Sequence, residues 1–400
     1  MESLPGCLHH ETTKKSLKRR ETNITRKPLK IAFVHNYYIH YRIPLFKMLS
    51  QVFDVVFFFD YISMYVKNVD ANLKYTINKG PSIKGVKLPL LLWFHLLKYN
   101  PYAVIAGDAT NPSTIISFIV SKLLRKPFIL WEERWFWHLS ILSALLWPIA
   151  RFIALKADAL IVPGTLARNF YESIGVEAKK IVIAPNASYV YVNETQRFEA
   201  QKLREIYNLS NKIVILYLGR VVPSKGVHLI LKALSKLKDE GFNNIHLYIV
   251  GCYDLWYKNI LSGFIKAKKL DDIVTIIGCV DPGTERDVYL ELADIVIYPS
   301  YYEIWGMVIN EAASLGKPVI STTTCAAACE ILRECLDLLI TPGNVNELVT
   351  SLKYLIANPL MRKNIGEKIK LVINKKYTYK EMLRGFIKAI KLAIIQRYNT

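Results

Sequence analysis

Short runs of β-branched and aromatic residues alternate with longer helical stretches along this chain, and midway the alternation starts afresh. Lys30 to His35 (KIAFVH), Phe53 to Phe59 (FDVVFFF), Ala103 to Ala106, Pro127 to Trp131, Ala159 to Val162 and Ile181 to Ala184 read as a first series of strands. Lys212 to Leu218 (KIVILYL), His246 to Val250, Val274 to Ile277, Ile295 to Tyr298 and Pro318 to Ile320 make a second. Strands separated by helices imply βαβ units and parallel sheets covered on both faces. The 52% apolar content of this 400-residue chain suits two such cores. The expected fold class is α/β, two Rossmann-like doubly wound domains facing each other across a cleft. Open parallel sheets bind ligands at the carboxyl ends of their strands, so the chemistry is expected in loops of both halves.

This divides the chain into a basic mobile tail (1–28), a first domain (29–190), a second domain (191–379) and a terminal helix (380–400). The helix has apolar residues at helical spacing and is expected to pack back on the first domain. The hinge is expected in the polar stretch Tyr191 to Gln201. The tail carries seven Lys and Arg residues and no apolar core segment, so it does not read as a secretory signal. A membrane-surface contact is its candidate role. Leu139 to Ala157 is strongly apolar but holds Pro148, Arg151 and Lys156. Its unbroken run is shorter than the ~20 residues of a bilayer span, so a helix packed on the sheet is expected, with membrane-surface docking as the alternative.

Lys and Arg outnumber Asp and Glu by 53 to 33, a net charge of +20. Such a surplus attracts nucleotide diphosphates, anionic lipid headgroups and nucleic acid alike. The six cysteines are scattered and none sits in a C-x-x-C pair. They are expected as free thiols of a cytoplasmic protein.

Two segments of the second half carry chemistry. Gly219-Arg220-Val221-Val222-Pro223-Ser224-Lys225-Gly226 follows a buried strand and opens a helix. A helix N-terminus beside an arginine and a lysine suits a diphosphate, because free N–H groups and both cations favour negative charge. The second segment, Ser300 to Ala312 (SYYEIWGMVINEA), sets Glu303 and Glu311 eight positions apart with Gly306 between them. With a helix starting near Gly306, Glu303 falls in the loop before it and Glu311 on its second turn. One carboxylate is then placed for sugar hydroxyls and the other for a ribose, with the N–H groups around Gly306, Met307 and Val308 facing phosphates.

Together GRVVPSKG and EIWGMVINEAASLGKPVIST resemble the retaining glycosyltransferases of family 4, which have the GT-B fold and carry G-R-x-x-x-x-K-G and E-x7-E motifs. Further similarity lies in Tyr41 to Phe46 (YRIPLF), in KADALIVPGTLARNFYESIGV and in Ile183 to Asn186 (IAPN), so that it spans roughly residues 29 to 390. The resemblance implies a retaining transfer of a sugar from a nucleotide-sugar donor to an acceptor, a glycan or a lipid-linked glycan. By it, Arg220 and Lys225 bind the donor diphosphate, Glu303 contacts the transferred sugar, and Glu311 holds the ribose. Gly219 and the backbone of Gly306, Met307 and Val308 complete the donor site. The first domain becomes the acceptor side and the second the nucleotide-sugar-binding side. The chain departs from the family in lacking a glycine-rich loop after its first strand and in replacing a later glycine-rich turn, where only Glu330 keeps its place.

On the acceptor side, Trp131 to His138 (WEERWFWH) follows a strand, so Glu132 or Glu133 is a candidate to orient the acceptor hydroxyl, with His138 beside them. Asp108, after the strand AVIAG, is a candidate of the same kind. The chain has no D-x-D triplet for a divalent cation on the diphosphate, and Cys325, Cys329 and Cys335 have no histidine nearby in sequence. No metal and no cofactor are expected, the nucleotide-sugar being a substrate. The expected partners are that donor, the acceptor and an anionic membrane surface at the cytoplasmic face, with no specific nucleic acid. The competing readings are an epimerase or hydrolase of nucleotide-sugars on the same scaffold, and a basic nucleic-acid-binding protein.

Overall fold

A computed structural model describes residues 28–398 except 67, 84, 138–140, 189 and 282. The basic tail up to residue 27, and His138, lie outside the described residues. The first domain begins with β1 (Lys30–Tyr38), α1 (Ile43–Val52), β2 (Asp54–Ile62) and β3 (Lys74–Ile77), then a small hairpin of β4 (Ser82–Ile83) and β5 (Val86–Lys87). It continues through α2 (Leu92–Tyr99), β6 (Ala103–Gly107), α3 (Pro112–Leu123), β7 (Phe128–Trp131), α4 (Ile141–Lys156), β8 (Ala159–Val162), α5 (Thr165–Ser173) and β9 (Ile181–Ile183). Seven strands pair in the order β3-β2-β1-β6-β7-β8-β9, all parallel. Parallel pairing buries both faces, which is why β6, β7 and β8 are apolar at every position.

The second domain opens with α6 (Glu194–Ile206) and proceeds through β10 (Ile213–Leu218), α7 (Val227–Asp239), β11 (Ile245–Val250), α8 (Leu255–Ala267), β12 (Val274–Gly278) and α9 (Glu285–Leu292). It ends with β13 (Ile295–Tyr298), α10 (Met307–Ser314), β14 (Val319–Thr322), α11 (Ala326–Ile331), β15 (Leu339–Ile340), α12 (Val345–Ala357) and α13 (Pro359–Lys376). The strand order β12-β11-β10-β13-β14-β15 reverses direction at β10 and β13. Such a switch point opens a crevice at the strands' carboxyl ends.

The polar stretch expected as a hinge is mostly helix. The Asn193 side chain accepts from the amide of Gln196 at 2.9 Å, and the Gln196 side-chain oxygen accepts from the Asn193 amide at 3.0 Å, a capping box that starts α6. The α6 helix then packs on α9. A second correction concerns the thiols: Cys252, after β11, and Cys279, after β12, form a disulfide. The two strands are neighbours, so residues 27 apart in sequence meet at adjacent strand ends. Cys325, Cys329 and Cys335 are free.

After α13 the chain crosses back as α14 (Tyr379–Tyr398), which packs on β7, β8, β9 and α1 of the first domain. Phe386, fully buried, stacks 6.0 Å from Phe33 and meets Trp131 edge-on at 5.1 Å. Losing an aromatic side chain at such a position costs about 3–5 kcal/mol. A second tie joins the domains at Glu330. Its carboxylate accepts from the amide and hydroxyl of Thr165, at the head of α5, and from the Tyr377 hydroxyl at 3.0 Å.

Candidate active site

The strand β10 ends beneath the domain interface, and its loop turns sharply. Val221 bridges to Tyr253, and Pro223 to Lys225 form a single tight turn. Gly226 closes that turn at φ +73°, and a Cβ there would come 2.2 Å from the Pro299 carbonyl oxygen, so no side chain fits. The turn aims Lys225 inward: its Nζ lies 2.5 Å from Glu303 Oε2, and the residue is only 8% exposed. Arg220 is exposed on the lip of the same cavity, and its guanidinium has no carboxylate partner among the described residues.

Glu303 sits in the loop between β13 and α10. It accepts from the Tyr298 hydroxyl at 2.6 Å, and burial pushes that hydroxyl's pKa well up, so it stays a donor. Across the interface, Trp135 Nε1 donates to the Glu303 carbonyl at 2.8 Å. Gly306, at φ +98°, is the residue before α10, with Cys325 Sγ 2.7 Å from where a Cβ would stand. The amides of Met307 and Val308 head the helix, where no intrahelical acceptor exists, and both residues line the cavity.

Glu311, on the second turn of α10, is buried. Burial raises its carboxyl above the usual range, against the pull of Arg286 and Ser188. Ser188 Oγ donates to it at 3.1 Å and Arg286 at 3.2 Å, while Arg286 also holds Asp287 at 2.8 Å. Arg286 lines the cavity and was not singled out from the sequence. Its partner is 25 positions away, and no motif flags the head of α9.

The opposite wall belongs to the first domain. Arg42, from the YRIPLF stretch, is buried over the Trp131 ring at 4.2 Å, contacts His35 and holds Glu133 at 2.8 Å. Asn186 donates to the same Glu133 oxygen at 3.0 Å. Glu133 thereby faces the cleft. Glu132 does not: it is 2% exposed, accepts from the Ala109 amide, and its carboxyl is raised by burial. Arg134 contacts both Asp108 and Glu132, which ties this pair into an internal network.

One cavity of about 560 Å³ gathers Gly219, Arg220, Lys225, Glu303, Gly306, Met307, Val308 and Glu311 on one wall and Glu133 on the other. Asp108 and Glu132 line a smaller adjoining cavity instead. No group of three or more His, Cys, Asp or Glu side chains is placed to hold a metal among the described residues. No helix among them is long and apolar enough to cross a membrane.

Residues 199–372 match the family of glycosyl transferases group 1. The chain is 23% identical over 301 residues to the capsular polysaccharide biosynthesis glycosyltransferase CapM of Staphylococcus aureus, covering 73% of this chain and 76% of that one. It is 28% identical over 241 residues to the lipopolysaccharide 1,2-N-acetylglucosaminetransferase of Salmonella typhimurium, covering 58% and 61%. Among solved structures, HepE of Anabaena in complex with UDP superposes with a TM-score of 0.73 at 17% identity, covering 91% of this chain and 100% of that one. A glycosyltransferase from Rickettsia africae superposes at 0.71 with 19% identity, covering 92% and 98%. The fold is therefore GT-B, two Rossmann-like domains about a cleft. The family match falls within the second domain and covers less than half of the chain.

Proposed function

We propose that this chain is a family 4 glycosyltransferase that moves a hexose-type sugar from a nucleotide-sugar to an acceptor hydroxyl with retention of anomeric configuration. The observation that carries the reading is the single cavity shared by Arg220, Lys225, the head of α10, Glu303 and Glu311. The Arg220 and Lys225 cations and the Met307 and Val308 amides take the diphosphate, and Glu311 takes the ribose hydroxyls. Glu303, held by Lys225 and Tyr298, contacts the transferred sugar. As the anomeric C–O bond to the diphosphate breaks, charge grows on the leaving oxygen, where the two cations are already in place. The acceptor oxygen attacks the same face, and its proton passes to the departing diphosphate. Glu133 stands across the cleft to orient the acceptor. With two side-chain cations at the diphosphate, no metal is needed for charge neutralisation and no cofactor for the transfer.

Relatives named for capsular polysaccharide and lipopolysaccharide synthesis, and Anabaena structures holding UDP and UDP-glucose, support a UDP-sugar and a glycan or lipid-linked acceptor. An anionic membrane at the cytoplasmic face is the proposed surface for such an acceptor; specific nucleic acid has no place in the scheme. No observation in the site favours an epimerase, a hydrolase or a nucleic-acid-binding protein. A thermal-shift screen with UDP, GDP, ADP and their sugars tests the donor site. Stabilisation by one nucleotide, lost in Lys225→Ala, is expected. No shift with any nucleotide would remove the site. Anomeric NMR of the product reads retention directly.

A further inference from the structure

The outer faces of α2, α3 and α4 are apolar where surface helices are ordinarily polar. All three cover the same face of the first sheet, over one core. On α3, Leu123 is 77% exposed and Ile119 stands one turn before it. On α4, Leu145 is 69% exposed and Phe152, two turns on, 53%. On α2, Trp93 is 49% exposed beside Phe94 and Leu97. The helices are neighbours: α2 packs along α3, and the Phe118 and Phe152 rings of α3 and α4 are 6.0 Å apart. Soluble monomers seldom leave so continuous an apolar face in water.

Charge identifies what covers it. None of the three helices contains an Asp or Glu. Lys98, Arg125, Arg151 and Lys156, all exposed, lie on them or just past their ends, while Lys122 is paired with Asp158 at 3.0 Å. An apolar face rimmed by cations, on helices that carry no acid and with the adjoining Asp158 taken up by Lys122, complements anionic headgroups above an acyl layer, with tryptophan at the boundary. A second copy of the chain would bring the same cations together, which opposes self-association.

The face also connects to the cleft. A cavity of about 300 Å³ has Arg134, Phe136, Trp137 and Ser143 on one side and Arg220 and Lys225 on the other. Trp137 donates to the Ser143 carbonyl at 2.9 Å and packs 4.5 Å from Trp147, so this aromatic wall is built onto α4 itself. We propose that the α2–α3–α4 face seats the protein on an anionic lipid bilayer, and that the aromatic cavity admits the head of an acceptor anchored in that bilayer. Admission rests on the transferase reading; seating does not.

Flotation of the full chain with phosphatidylcholine vesicles containing about one third phosphatidylglycerol, at about 0.15 M salt, tests the seating. The protein is expected to float with these vesicles and not with pure phosphatidylcholine. The triple variant Leu123→Glu/Leu145→Glu/Phe152→Glu should lower partition at least about tenfold, and Arg125→Glu/Arg151→Glu/Lys156→Glu, which keeps the apolar face, should do likewise. Leu336→Glu/Leu371→Glu, exposed on the second domain, should float as wild type. Unfolding temperatures within about 3 °C of wild type verify that each variant folds. Absence of the protein from anionic vesicles, equal binding to neutral ones, wild-type flotation of both triple variants, or a stable dimer in place of flotation would overturn the proposal. Because flotation reads no turnover, it stands or fails apart from the donor chemistry.

Discussion

On the second-domain wall of the cleft, Arg220 is exposed without a carboxylate partner and the α10 amides meet open space; on the first-domain wall, Arg42 and Arg134 are already engaged by Glu133, Glu132 and Asp108. Both walls are rich in charge. In the proposed reaction the first receives an anion that arrives from outside, while the other satisfies itself and presents a single carboxylate, Glu133. A charge left without a protein partner marks where ligand binding supplies the missing interaction. A charge paired inside the wall holds shape. Variants of an unpaired group such as Arg220 should therefore damage chemistry and spare stability, and variants of an internally paired group such as Arg134 should do the reverse.

The largest effect is expected from Lys225→Ala and Arg220→Ala, each lowering kcat/KM about 10²–10³-fold in steady-state assays; unfolding temperature stays nearly unchanged in Arg220→Ala, whereas Lys225→Ala also strips Glu303 of its ion-pair partner and lowers it. A large loss of stability in Arg220→Ala would break the comparison. Next, Arg134→Ala leaves Glu132 buried without its cation and should cost about 2–3 kcal/mol in denaturant unfolding, the half-exposed Asp108 contributing little. Wild-type stability there would show that the first-domain network is idle.

Smaller still, Glu311→Gln should raise the donor KM about tenfold by removing a charged acceptor for the ribose. The raised Glu311 carboxyl gives this site a pH signature. Protonation on acidification removes the acceptor, so donor KM should climb as pH falls, and Glu311→Gln should flatten the profile. Stability runs the opposite way, since a carboxyl raised in the fold favours the native state below the ordinary carboxylate range and loses that contribution as pH rises through the raised value. The smallest effect belongs to Glu133→Gln, which should raise the acceptor KM about fivefold and leave the donor KM alone.

The strand-rich cores, and the second-domain residues that share one cavity, are plain in the sequence for physical reasons. Strands buried on both faces, such as IVILYL and IHLYIV, are apolar at nearly every position and need no context to be seen. The edge strand β3 (KYTI) is partly exposed and β15 has two residues, so neither makes a run long enough to detect. The donor wall is built from residues close in sequence about two glycine turns, and local chemistry is what a motif records. Arg286 and the Cys252–Cys279 bridge depend on which elements become neighbours, which the order of residues does not state. For α6 the capping residues Asn193 and Gln196 stand in the sequence, but the polar surface of the helix gives the stretch the composition of a hinge. Glu132 and Glu133 are adjacent, and only packing separates the one buried under Ala109 from the one turned to the cleft.

The return of α14 to the first domain sets an order for biosynthesis. The first core is complete only when Phe386 reaches Phe33 and Trp131, so the sheet translated first waits for a helix translated after the whole second domain. The second domain, continuous from Glu194 to Lys376, can close while that wait lasts. A nascent chain of this protein would thus carry its finished half behind an open sheet, and the unsealed β7–β9 surface is where a chaperone has most to cover.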